Sequence, residues 1–157
     1  DANVITVLIA KDNREFANVS NGPDTILKYR PKILAEMGKR YNIEFTDEEL
    51  RLFERTGTSV GVPIQDMKAY LALKDTDEKI ALETGVPIDS TDNQLALWIL
   101  FARQINPAVQ TLIKGDADVE FPVVKEVLDI LQDKNVNRFN LITSLRAVEV
   151  VDEEITE

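Results

Sequence analysis

The segment from Val109 to Leu145, VQTLIKGDADVEFPVVKEVLDILQDKNVNRFNLITSL, limits the possible folds more than any other part of the chain, because it reads as strand, turn, helix and strand in direct succession. Val109 to Lys114 is an apolar-rich strand, and Gly115, Asp116, Ala117 and Asp118 supply its turn. Pro122, with no amide hydrogen and a preset φ, suits the first turn of a helix. The rows Val123, Val127, Leu131 and Val124, Leu128 give that helix a single apolar stripe. Asn135 tolerates the left-handed conformation of a helix end. From Val136 to Thr143, Phe139 and Leu141 alternate with Arg138 and Asn140, the pattern of a half-exposed strand.

Val4 to Ala10, VITVLIA, is rich in β-branched residues and apolar at both parities, as in a central strand covered on both sides. Lys11, Asp12, Asn13 and Arg14 supply turn chemistry before a weaker alternating run, Glu15 to Val19, so the chain is expected to open on a β-hairpin. Ser20, Asn21, Gly22, Pro23 and Asp24 close it. Pro31 places a helix over about Pro31 to Tyr41, burying Ile33, Leu34 and Met37, and residues 24–30 carry no clear assignment. At Thr46 to Glu49 a capping box fixes another helix start. Leu50, Leu52 and Phe53 form its apolar face, and Gly57 suits its end.

GVPI occurs at Gly61 to Ile64 and again at Gly85 to Ile88. A duplicated binding loop is one reading. The preferred one is structural: glycine permits a bend, proline holds an extended approach, and the next apolar residue pins the start of a helix. Helical runs follow both copies, at Met67 to Leu73 and Gln94 to Ile105. Ser90 or Asp92 can cap the second, whose Leu95, Trp98, Ile99, Ala102 and Ile105 keep the spacing of a buried face. Leu97, Leu100 and Phe101 widen that face beyond one sheet contact, so it needs a second cover, from the helices of residues 24–89 or from another subunit.

Among 157 residues, 18 basic and 28 acidic side chains leave a net charge of -10 and no basic patch, which argues against nucleic acid as a partner. There is no cysteine and no histidine, which removes disulfides, thiol chemistry, the commonest metal ligand and every Ser-His arrangement. Carboxylates remain. Asp116, Asp118 and Glu120 alternate, but an EF-hand loop needs a glycine at its sixth position and an acid at its twelfth, whereas this segment runs into Pro122. The other acids, including Glu48, Glu49, Asp77, Glu78, Glu126 and Asp129, suit helix caps and polar faces. Trp98 belongs to the buried stripe rather than to a sugar-stacking site. No catalytic, metal or cofactor residue is therefore assigned. The chain begins on a strand with no initiator methionine, no signal-peptide pattern and no window of ~18 to 20 apolar residues, and is expected to be a fragment or a mature product.

In order, VITVLIAKDNREFANV, NQLALWILFARQINP, VQTLIKGDADVEFPVVKEVLDILQ and NVNRFNLIT resemble the periplasmic domain of the ExbD/TolR family, with its hairpin, helix, strand ending in a Gly-Asp turn, second helix and strand of R-x-x-L-x-T character. The likeness is closest over residues 90–145. Residues 24–89 look like the insertion of longer ExbD-like proteins of the Bacteroidota, where GVPI and a GVPIDSTDNQL-like segment occur. The resemblance implies one α+β domain over 1–157, a mixed sheet of about four to five strands against helices, and a C-terminal strand and acidic tail over 147–157. It further implies a single-pass inner-membrane protein that dimerises and sits in an ExbB/TolQ-like channel. Proton flow there is coupled through a membrane-helix aspartate to work on a TonB- or TolA-like protein. Neither that helix nor that aspartate is among these residues. The expected interaction is strand addition at a sheet edge formed by Val136 to Thr143 and Ala147 to Val151, with Arg138, Phe139, Asn140, Leu141, Val148 and Val150 as partner-binding residues. These strands could instead simply complete the monomer's own sheet. A second expectation is a peptidoglycan-anchoring module of TolR or MotB type, using the GDADVE turn.

Overall fold

A computed structural model describes residues 4–19, 28–56, 59–89, 91–115, 125–126, 129–130, 138–143 and 149–154. The fold is α+β, as expected, and its centre is a mixed sheet. Strands β1 (Val4–Ile9) and β2 (Glu15–Val19) form the antiparallel opening hairpin. Its tight connection follows from Lys11, Asp12 and Asn13. The Asn13 N–H donates to the Ala10 carbonyl at 2.8 Å, the Ala10 N–H donates to the Arg14 carbonyl at 2.9 Å, and Asn13 itself takes φ 70°. A turn closed by a left-handed residue is a favoured three-residue hairpin loop, and asparagine is among the few residues that adopt it cheaply.

Helix α1 (Tyr29–Arg40) starts two residues before Pro31, which still lies in its first turn, and buries Ile33, Leu34 and Met37 as its spacing requires. Helix α2 (Asp47–Arg55) begins with the expected capping box: the Glu49 N–H donates to Thr46 Oγ1 at 3.1 Å and the Thr46 N–H to Glu49 Oε1 at 2.9 Å. Phe53 is its buried residue, while Leu50 and Leu52 pack half-buried at the margin of the core. The proposed stop at Gly57 lies outside the described residues. After β3 (Ser59–Val60) come a 3-10 turn (Ile64–Asp66), α3 (Met67–Ala72) and α4 (Thr76–Leu82). The short hairpin β4 (Ile88–Asp89) and β5 (Asp92–Asn93) then leads into α5 (Gln94–Ile105). The cap of α5 is Asn93, whose side chain accepts from the Ala96 N–H at 3.0 Å, and not Asp92; Ser90 lies outside the described residues. Asp92 is drawn away by Tyr41, whose hydroxyl donates to it at 2.6 Å.

Strand β6 (Gln110–Gly115) returns parallel to β1, β7 (Arg138–Thr143) lies parallel to β6, and β8 (Glu149–Glu154) closes antiparallel to β7. The order β3-β2-β1-β6-β7-β8 makes this sheet one strand wider than expected, because the 24–89 segment contributes β3. It also changes the expected edge. Residues Asn140 to Thr143 of β7 pair with β6 on one side while the strand pairs with β8 on the other, so β7 is interior. Among the described residues the edges of this sheet are β8 and the two-residue β3.

On β1, β2 and β6 one face is buried: Ile5, Val7 and Ile9, then Ala17 and Val19, then Thr111 and Ile113. Val4, Thr6 and Leu8 on the other parity are half-buried, so β1 is central in the sheet but completely covered on one face only. Helix α5 packs against the hairpin and against α1. The second cover demanded by its wide face is therefore α1, a helix of the 24–89 segment. Trp98 is 0% exposed and stacks on Phe53 with ring centroids 6.0 Å apart, in the core as its spacing requires.

Arg30 is also interior. It is 4% exposed, lies over the Phe53 ring at 4.4 Å, and donates to the carbonyls of Val19 at 2.7 Å and Phe53 at 3.1 Å. It thereby ties the end of β2 to the end of α2. Arg30→Met keeps the apolar stem but removes the Arg30 donor from the Val19 carbonyl, while the Phe53 carbonyl keeps a hydrogen bond from Thr56 Oγ1 at 3.0 Å, and should cost about 1 to 3 kcal/mol of stability in urea unfolding. An unchanged midpoint would show that these bonds do not hold the helices to the sheet.

Candidate binding site at the paired GVPI loops

The two GVPI copies, 24 positions apart in the chain, meet in space. The Gly85 N–H donates to the Gly61 carbonyl at 2.7 Å, and the Val86 N–H donates to the Glu15 carbonyl at 2.8 Å. Gln94 joins the segments that follow: its Oε1 accepts from the Ile64 N–H at 2.7 Å, and its Nε2 donates to Gln65 Oε1 and Asp92 Oδ2, each at 2.9 Å. Gln94 is wholly buried, so this amide replaces water for a backbone group that a core position would otherwise orphan. Each glycine of the repeat has a separate structural reason. At Gly61 a Cβ would overlap the Phe16 ring, and Gly85 takes φ +104°, a conformation costly to any residue with a side chain. Gly85→Ala should lose about 1 to 3 kcal/mol in denaturant unfolding. A neutral substitution would mean the loop adapts.

Between this paired loop and the β1–β2 turn lies a pocket of about 400 Å³, lined by Asp12 to Glu15, Pro63, Thr84 to Asp89 and Glu126. Glu15 is its notable member. The alternation of β2 points Glu15, Ala17 and Val19 into the core, leaving a carboxyl only 5% exposed. Burial, with the nearby charge of Glu126 adding to it, pushes its pKa from 4.5 up to about 7; a hydrogen bond from its own backbone N–H opposes the shift. Arg14 does not neutralise it. The Arg14 guanidinium donates to Asp12 Oδ2 at 2.7 Å and to the Glu83 carbonyl, and lies over Phe16. That bond holds Asp12 below its usual carboxylate range. Asp89 is likewise held low, by donors from Thr91 and Asp92.

A carboxyl whose folded pKa exceeds its unfolded one contributes stability that is complete below about 4.5 and lost as pH rises through about 7. The melting temperature should therefore fall between pH 5 and pH 8, and Glu15→Gln should flatten that slope. Thermal melts at both pH values test it; parallel slopes for the two proteins would exclude Glu15 as the cause.

Two other hollows are shallower in chemical content. One of about 440 Å³ is floored by Leu8 and Phe16 beside Lys11 and Lys114, and one of about 540 Å³ lies at the end of α1. Among the described residues no group of three acidic, cysteine or histidine side chains could hold a metal ion. Asp116 to Glu120 of the GDADVE turn and Val148 lie outside the described residues. Of the other expected partner-binding residues, Arg138, Phe139, Asn140 and Leu141 fall on interior β7 and Val150 on edge strand β8. Among the described residues no helix is long and apolar enough to cross a membrane.

Sequence reasoning did not single out Glu15, although one signal was available. Its position is in phase with Ala17 and Val19, so a period of two that buries those residues buries Glu15 with them. Compared with protein-family models, with curated proteins and with solved structures, the chain matches none.

Proposed function

We propose that this chain is a periplasmic interaction domain of ExbD/TolR type, which passes force within an inner-membrane energy complex by adding an extended partner segment to its sheet. It carries no catalytic role in this reading. The observation that supports it is the position of β8, a six-residue antiparallel edge strand with β7 on one side and no described strand on the other. Such an edge offers main-chain donors and acceptors to a third strand, and side chains of alternating parity then select the partner.

The sequence of β8 narrows the partner. Glu149, Asp152, Glu153 and Glu154 make four of its six side chains acidic. Two copies pairing edge to edge would bring like charges together, so dimerisation through β8 is disfavoured and any homodimer must use another surface. A basic, extended segment is the complementary occupant, as a TonB- or TolA-like periplasm-spanning linker would be.

Titration with a basic TonB-like linker peptide should shift the β8 amides while leaving those of β1 in place. Raising salt from 50 to 300 mM should weaken the association several-fold, because exposed charges are screened. Unmoved β8 amides at saturating peptide would remove strand addition as the mechanism.

A further inference from the structure

We propose that the pocket between the β1–β2 turn and the second GVPI loop binds an organic cation, an alkylammonium or guanidinium head. Among the described residues the pocket wall carries more acidic groups than basic ones, and its one cation, Arg14, is engaged elsewhere. Glu15 is more than nine-tenths buried and lines the pocket, yet among the described residues no Lys or Arg pairs with it. Asn13 Oδ1, also at the pocket wall, is buried with no hydrogen-bond partner among the described residues. Asn13 Oδ1 thus lacks a donor, and Glu15, whose carboxyl takes a hydrogen bond from its own backbone N–H, lacks a countercharge among the described residues; both are costly in a buried place.

The second carboxylate selects the sign and type of ligand. Glu126 stands on the pocket wall and its charge acts on Glu15, so an anion is repelled and a cation bridging the two relieves both. Arg14, the basic residue of the wall, is occupied by Asp12 and the Glu83 carbonyl. A metal ion is disfavoured because no three acidic side chains of the described residues converge. An ammonium or guanidinium group needs fewer ligands and brings several N–H donors, which suits two carboxylates and an amide oxygen. The net charge of -10 favours the approach of any cation.

This site is independent of strand addition, since β1, β6 and β7 separate β2 from β8 in the sheet order. Its test uses the whole chain and two classes of probe: blocked single residues, N-acetyl-lysine methylamide and N-acetyl-arginine methylamide, and the free diamine cadaverine. Saturable shifts confined to the amides of Asp12 to Glu15 and Gly85 to Asp89, with a dissociation constant on the order of millimolar or tighter, are expected. The tighter class identifies the source, a basic side chain of a partner or a free amine. Glu15→Gln should weaken the interaction about tenfold. Glu126→Gln, at an exposed position that folding tolerates, should also weaken it, and ε-acetylated lysine should not bind. The inference is overturned by the absence of saturable shifts, by equal binding to both variants and wild type, or by calcium ions producing the shifts while the amines do not.

Discussion

The rest of the structure depends on the burial of helix α5 on two sides at once. Leu95, Trp98, Ile99 and Ala102 are shielded by the hairpin on one side and by α1 on the other, and each large side chain so removed from water contributes about 1.5 to 3 kcal/mol. A helix of this width cannot be satisfied by a sheet alone, so the 24–89 segment belongs to the core of the domain. Its α1 roofs α5, its Phe53 stacks on Trp98, and its β3 extends the sheet beyond β2. The buried hydrophobics accordingly form one continuous cluster.

Three of the polar residues buried inside that apolar mass do different work, and the contrast comes from how completely each is satisfied. Arg30 and Gln94 are surrounded by hydrogen-bond partners, and each joins segments distant in sequence: β2 to α2 through Arg30, and the end of the first GVPI loop to the start of α5 through Gln94. Such groups select one packing among many of similar apolar area. Glu15 has no cationic counterpart among the described residues and opens onto a pocket, so its charge remains available to chemistry from outside the fold. Buried groups with perturbed titration in a concave site are where binding is most often found.

Legibility in the sequence followed the range of the interactions involved. The capping box at Thr46 and the helix of Gln94 to Ile105 were legible because their signals sit within one or two turns of chain. The α5 cap was misplaced because Asn93, Asp92 and Ser90 all suit the role, and the choice was made by Tyr41, 51 positions away, which claims Asp92. The strand at Val136 to Thr143 was legible as an element, with its observed start at Arg138, but its rank in the sheet was not. An alternating pattern on a half-exposed strand is the same at an edge and one place inside it.

By itself, then, the sequence determined the α+β class, the hairpin, most helix starts and the buried stripe of α5, since hydrophobic period and capping chemistry are properties of neighbouring residues. Only the tertiary structure decided that β8 rather than β7 is the edge, that the two GVPI loops pair, and that Glu15 faces Glu126 beside a pocket. Strand order, loop pairing and the local dielectric around a carboxyl are set by segments far apart in the chain, and no local pattern encodes them.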